Sequence, residues 1–207
     1  ILKNYNSAEI TDLNGKIVYP GFIDAHCHFY GYGTGFAEAD LRKTASFNEV
    51  LEVVREHASH KKSKWILGRG WDQNDWQVKE FPDKTMLDKL FPEVPVLLVR
   101  IDGHAALANQ KALDLAGITL SSEVEGGSII KKNGKLTGLL VDMAVEKVKN
   151  SIPPPGAEEI AESLLKAQEK CFEVGLTSVH DAGLEKNVIE TIQKLNKEGN
   201  LRMRIYA

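Results

Sequence analysis

The closing stretch of the chain constrains its fold most tightly. Residues 176–180 read as a strand, 187–197 as a helix with Val188, Ile192 and Leu195 on one face, and 201–206 as a second strand. Strand, helix and strand within about thirty residues form a βαβ unit, whose crossover makes the two strands parallel. Such a chain belongs to the α/β class. Its 207 residues are enough for one good-sized domain with its own core. It opens at Ile1 and closes on a strand ending Arg204-Ile205-Tyr206-Ala207. A domain rarely stops on a strand, so the sequence reads as a piece of a longer protein.

Composition removes several function classes. Lys and Arg number 26 against 29 Asp and Glu, a net charge of −3, which argues against a dedicated nucleic-acid binder. No apolar run approaches the roughly 20 residues of a membrane-spanning helix, so no membrane partner is expected. Two cysteines, Cys27 and Cys171, are too few for a disulfide framework, which points to a reducing, cytoplasmic setting. No GxGxxG fingerprint, P-loop, GxSxG elbow or CxxC pair is present, so nicotinamide, nucleotide, serine-hydrolase and thioredoxin readings have no support.

Local signals divide the rest of the chain. Residues 8–19 read as a short β excursion turning at Asn14-Gly15, the tail of an N-terminal β region over 1–19. Residues 22–29 read as a buried strand, followed by a flexible loop at Gly31, Gly33 and Gly35. Ser46 and Glu49 form a capping box, opening a helix that carries Phe47, Val50, Leu51 and Val54. The basic run at 61–64 reads as a solvated helix end or loop, with His57 and His60 near the helix C-terminus as surface residues. Residues 65–71 and 94–101 are strand-like, with a short helix at 85–91 between them. A helix is expected over 105–116, with Asp102 as a candidate cap and Gly117 at its stop. Asn133-Gly134, between 128–132 and 135–141, is the strongest hairpin signal. Residues 153–156 mark a boundary before a helix bearing Ile160, Leu164, Ala167, Cys171 and Val174.

His26 and His28 carry the chemistry. Two residues apart on a strand, they share a face, and neutral imidazoles are good ligands for zinc and similar divalent metals. Cys27 faces away and reads as a small buried hydrophobe. Alternation places Asp24 on the histidine face but deeper, where its carboxylate either supports the site by hydrogen bonding or is satisfied by backbone donors. Trp71, Asp72, Asp102 and His104 close predicted strands, where loops usually face a site. They are candidates for a substrate pocket, set against core packing for Trp71, helix capping for Asp102 and an ordinary loop position for His104. His180 and Asp181 end another strand and face opposite sides, so one of them looks toward the site; Asp181 is the pocket candidate.

The segment 20–29, Pro-Gly-Phe-Ile-Asp-Ala-His-Cys-His-Phe, resembles the first-strand signature of the amidohydrolase superfamily, with 12–16 resembling its lead-in. Gly70-Trp71-Asp72, Asp102-Gly103-His104, Ala108-Asn109, 137–140, 175–179 and Asp181-Ala182-Gly183 resemble blocks of amidohydrolase family three, the YtcJ-like and N-substituted formamide deformylase-like branch. The resemblance implies a (β/α)8 TIM-barrel hydrolase in which one or two divalent metals activate a water to cleave an amide-like, non-peptide C–N bond of a small molecule. His26 and His28 would be metal ligands. Zinc is the first expectation, with iron or manganese as alternatives.

By the same analogy, 20–60 is the first barrel βα unit and 151–207 holds barrel strands two and three. Residues 61–150 form an inserted α/β lobe, since a βα connection needs only a few residues. The alternative is that 65–71 and 96–101 are themselves barrel strands. The remaining ligands and the catalytic base lie beyond Ala207, so the segment alone is expected to be inactive, with open strand edges prone to self-association. Rival readings are a PHP-type phosphoesterase, in which a hydroxyl residue commonly follows where Phe29 stands, a deaminase of the same superfamily, and a non-catalytic barrel relative.

Overall fold

The fold is described by a computed structural model covering residues 11–60 and 64–207. It contains two sheets with separate strand orders. The first is parallel, in the order β1 (Phe22–Cys27), β8 (Leu176–Asp181), β9 (Arg204–Tyr206). Helices α1 (Phe29–Gly35), α6 (Ala157–Glu173) and α7 (Lys186–Lys197) accompany it. Their core joins Phe29, Ile160, Leu164, Ala167, Val179, Val188 and Leu201. The βαβ unit therefore forms as the sequence indicates, and β1 pairs with β8 across more than a hundred intervening residues.

Those intervening residues build the second sheet, in the order β2 (Ala39–Asp40), β3 (Ile66–Trp71), β4 (Val96–Arg100), β5 (Ala105–Ala108), β7 (Lys135–Asp142), β6 (Gly127–Lys132). β2, β3 and β4 run parallel, β5 is antiparallel to β4, and β7 is antiparallel to β5. One edge of the sheet thus collects the carboxyl ends of β2, β3, β4 and β7 with the amino end of β5. Helices α2 (Phe47–His60) and α3 (Thr85–Leu90) contribute Val50, Leu51, Val54 and Leu87 to the core on one face. Helices α4 (Gln110–Leu115) and α5 (Met143–Lys149) contribute Ala112, Leu113, Ala144, Val145 and Val148 to the other. Among the described residues β3 and β4 pair within this sheet, not beside β1.

Local chemistry explains the elements that match expectation. Ser46 Oγ accepts from Glu49 N–H at 3.2 Å, and the Glu49 carboxylate accepts from Ala45 N–H at 2.6 Å, closing the N-terminus of α2. Asn133 and Gly134 take φ of 51° and 69°, the positive pair that a two-residue hairpin turn requires.

Other expectations are corrected. Residues 17–19 are exposed and outside any strand, and the part of the β excursion before residue 11 lies outside the described residues, as do 61–63 of the basic run. The glycines after β1 form helix α1 instead of a loop, because the small Gly33 lets α1 lie directly on the α6 backbone. The expected helix over 105–116 begins instead as strand β5. Its Ala-Ala-Leu-Ala composition favours helix, but burial between β4 and β7 overrides that preference. The helix starts only at Gln110, capped by Asn109 rather than Asp102. β1 is not buried: Phe22 and Ile23 are both exposed, and among the described residues β1 pairs on one side only, with β8.

Candidate functional site

β1 ends at Cys27, and His28 is the N-cap residue of α1, so the two histidines sit where a parallel strand hands over to its helix. Active sites of parallel α/β folds form at this end. The imidazoles lie with ring centres 5.9 Å apart and planes at 71°. At a Zn–N distance of about 2.0–2.1 Å, two imidazoles sharing one ion have ring centres roughly 5 Å apart, close to the separation seen here. Among the described residues no third His, Cys, Asp or Glu completes a metal-holding group. The pair fits as part of a ligand set.

Buried Asp181, from the end of β8, supports this corner. Its Oδ2 accepts from the Tyr30 N–H at 2.9 Å, capping the first turn of α1 from another strand. Its Oδ1 lies 4.0 Å from His28 Nδ1, within ion-pair range but too long for a hydrogen bond. The structure therefore places Asp181 behind His28, 3% exposed, while neighbouring His180 turns to the Tyr206 ring.

Asp24 sits at an irregularity of the strand pairing. Asp24 aligns with Val179 and Cys27 with Asp181, so three steps of β1 match two of β8. The Asp24 charge is felt at both Cys27 and Cys171, whose thiols it helps to raise. Its carboxylate still reaches back to accept the His26 N–H at 3.0 Å. Burial first, and then the charges of Asp181 and Asp24, push the Cys27 thiol above its ordinary value, so it stays protonated and is a poor metal ligand.

The other candidates occupy the carboxyl edge of the second sheet. Trp71 is 1% exposed, stacks on Trp76 and donates from Nε1 to the Leu98 carbonyl at 2.8 Å; it is core. Asp72 and Asp102 both hold Arg100. Nη2 donates to Asp72 Oδ1 at 2.6 Å, Nη1 donates to Asp102 Oδ2, and Nε donates to Gln73 Oε1 at 2.9 Å. Burial raises the Asp102 carboxyl, but the N–H groups of His104 and Ala105 and the Arg100 guanidinium outweigh it and hold it below the usual carboxylate range. This clamp fixes the turn that carries His104.

His104 Nδ1 lies 2.9 Å from Asp142 Oδ1, across the β5–β7 pairing. An ionised carboxylate only accepts, so Nδ1 carries the proton. Asp142 takes φ 50° and ψ −121°, a region that costs a non-glycine residue on the order of 1–3 kcal/mol. The side chains are 75% and 50% exposed, and an exposed pair contributes about 0–1 kcal/mol. Arg100, Gln73 and Asp142 were missing from the sequence-based set. Asp142 was out of reach because the register that brings it to His104 needs β5 to be a strand. A cleft of about 1190 Å³ between α1, α6 and the second sheet is lined by Tyr30, Glu38, Trp65 and Lys166, and by none of the candidates above.

No helix among the described residues is long and apolar enough to cross a membrane. The model of the amidohydrolase family designated Amidohydro_3 matches residues 9–207. The chain is 36% identical over 187 residues to YtcJ of Bacillus subtilis (strain 168), covering 88% of this chain and 35% of that protein. It is 30% identical over 203 residues to the N-substituted formamide deformylase of Arthrobacter pascens, covering 94% and 38%. Among solved structures, an uncharacterized metal-dependent hydrolase from Pyrococcus horikoshii OT3 matches with a TM-score of 0.70 at 26% identity, covering 91% of this chain and 36% of that one. The chain thus spans little more than a third of each. It belongs to the amidohydrolase family.

Proposed function

We propose, proceeding from that membership, that this chain is part of a metal-dependent hydrolase cleaving a non-peptide, amide-like C–N bond of a small molecule. The observation that carries the reading is the convergence of His26 and His28 at the end of parallel strand β1. The relative named as an N-substituted formamide deformylase supports the C–N class.

His26 and His28 would hold a divalent cation, zinc foremost, with further ligands from outside this segment. Bound there, it would polarise a carbonyl oxygen and lower the pKa of a water toward neutrality. Asp181 keeps the first turn of α1 fixed and stands behind His28, while Asp24 fixes the backbone at His26. Cys27, kept as a thiol, stays out of the ligand set.

In this reading 20–60 is the first barrel βα unit, 61–150 the inserted lobe, and 151–207 the second and third barrel strands with their helices. The outer edges of β1 and β9 receive the rest of the barrel or, in the segment alone, a second copy. The lobe's carboxyl edge offers His104 to the substrate, with Asp72 and Asp102 holding its turn and Trp71 stiffening it from the core. The free cysteines suit a reducing, cytoplasmic setting.

The test is hydrolysis of a series of N-substituted formamides by the full-length protein beside its His26→Ala and His28→Ala variants. Activity in the wild type that drops to the uncatalysed background in both variants is the expected result. Full activity in either variant would overturn it.

A further inference from the structure

We propose that His104 and Asp142 form a substrate-binding dyad on the lobe, presenting His104 Nε2 as a hydrogen-bond acceptor to an N–H or O–H group of the substrate. The substrate's class rests on the hydrolase reading above; the dyad itself rests on three observations.

First, Asp142 occupies the N-cap position of α5, yet its side chain makes no capping bond and turns to His104 instead. Asp is among the best N-cap residues, so the carboxylate is diverted from its usual local use. Second, the backbone adopts φ 50° and ψ −121° at this residue, where glycine would sit without penalty. The strain is at least as large as what an exposed ion pair returns, and the Asp142 N–H is itself tied to the His104 carbonyl at 2.8 Å, which holds the two residues together. Third, the pair lies on the edge where the carboxyl ends of β2, β3, β4 and β7 meet the start of β5. Ligands of open α/β sheets bind outside such ends.

The chemistry follows from the hydrogen bond. With Nδ1–H committed to Asp142, the neutral ring keeps its lone pair on Nε2, and the ring is largely exposed. The guanidinium of Arg69 lies alongside, its Nη2 only 3.5 Å from where a Cβ on Gly103 would stand. The acceptor on His104, with the Arg69 guanidinium reaching from β3 toward the same turn, suits a substrate that offers an N–H or O–H donor. The Arg100 clamp through Asp72, Gln73 and Asp102 holds that turn in place.

The test compares full-length wild type with Asp142→Gly and His104→Ala by thermal melting, by 15N NMR of the histidine tautomers, and by kinetics on N-substituted formamides. The expected results are an Nδ1–H tautomer for His104 in the wild type and an Asp142→Gly midpoint unchanged or raised by up to about 4 °C. KM should rise about tenfold in both variants, with metal content unchanged. An Nε2–H tautomer in the wild type would overturn the proposal. So would a midpoint several degrees lower in Asp142→Gly, or an unchanged KM in both variants. If the wild type hydrolyses no amide in the series, the hydrolase reading fails, and the tautomer and the midpoint decide the dyad on their own.

Discussion

Gly33→Ala sets helix propensity against packing, and the structure decides between them. Inside a helix such as α1 the change ordinarily gains roughly 1 kcal/mol. Here the new Cβ would stand 2.1 Å from the Ser163 carbonyl oxygen and 2.7 Å from its carbonyl carbon. These are backbone atoms of α6, so no side chain can rotate out of the way. Restoring an ordinary contact of 3.4 Å parts the helices by more than 1 Å. α1 cannot retreat freely, because Phe29 is buried and the Tyr30 N–H is tied to Asp181 at 2.9 Å. Overpacking of this kind costs about 1–3 kcal/mol, and against the propensity gain it leaves a net loss of up to roughly 2 kcal/mol. For a domain this size that lowers the melting temperature by up to roughly 8 °C. Gly35→Ala is the control on the same helix, since nothing lies within 4 Å of its Cβ position, and it should be neutral or stabilising. Thermal and urea melts followed by circular dichroism read both variants. A Gly33→Ala protein melting at or above wild type would refute the packing argument.

Other outcomes follow from the same structure. Asn109, fully buried, accepts from the Val96 and Ala112 N–H groups and donates to the Phe91 and Val94 carbonyls. Asn109→Ala strips those partners and should cost at least about 3 kcal/mol in urea unfolding; a loss under 1 kcal/mol would contradict the assignment. Cys27, its thiol raised by burial and by the nearby Asp181 and Asp24 charges, should alkylate more slowly at pH 8 than a free cysteine, read by mass spectrometry. Asp102 is held below its unfolded value near 3.9. Its contribution to stability is therefore present above that pH and lost as pH falls through the folded value. Asp102→Asn should flatten the stability curve below about pH 4, and an unchanged acid limb would count against the clamp.

The parts legible in the sequence are those set by near neighbours. The capping box at Ser46 and Glu49, the Asn133-Gly134 turn and the βαβ period each depend on chemistry within a few residues. What escaped reading depends on distant partners. β5 is a strand because β4 and β7 flank it, not because Ala and Leu favour one. The glycines of α1 look like a loop until α6 is laid against them. Asp181 meets the Tyr30 N–H across 151 positions, and Asp142 meets His104 across 38. His26 and His28 stood out through the segment around them, and their rings lie 5.9 Å apart where β1 gives way to α1.

Metal content tests the account's central claim most directly. Elemental analysis of the full-length protein, beside a variant carrying both His26→Ala and His28→Ala, should find about one or two equivalents of zinc, iron or manganese in the wild type. The double variant should have lost metal while remaining folded. A folded wild type free of metal, or equal metal in both proteins, would contradict the account.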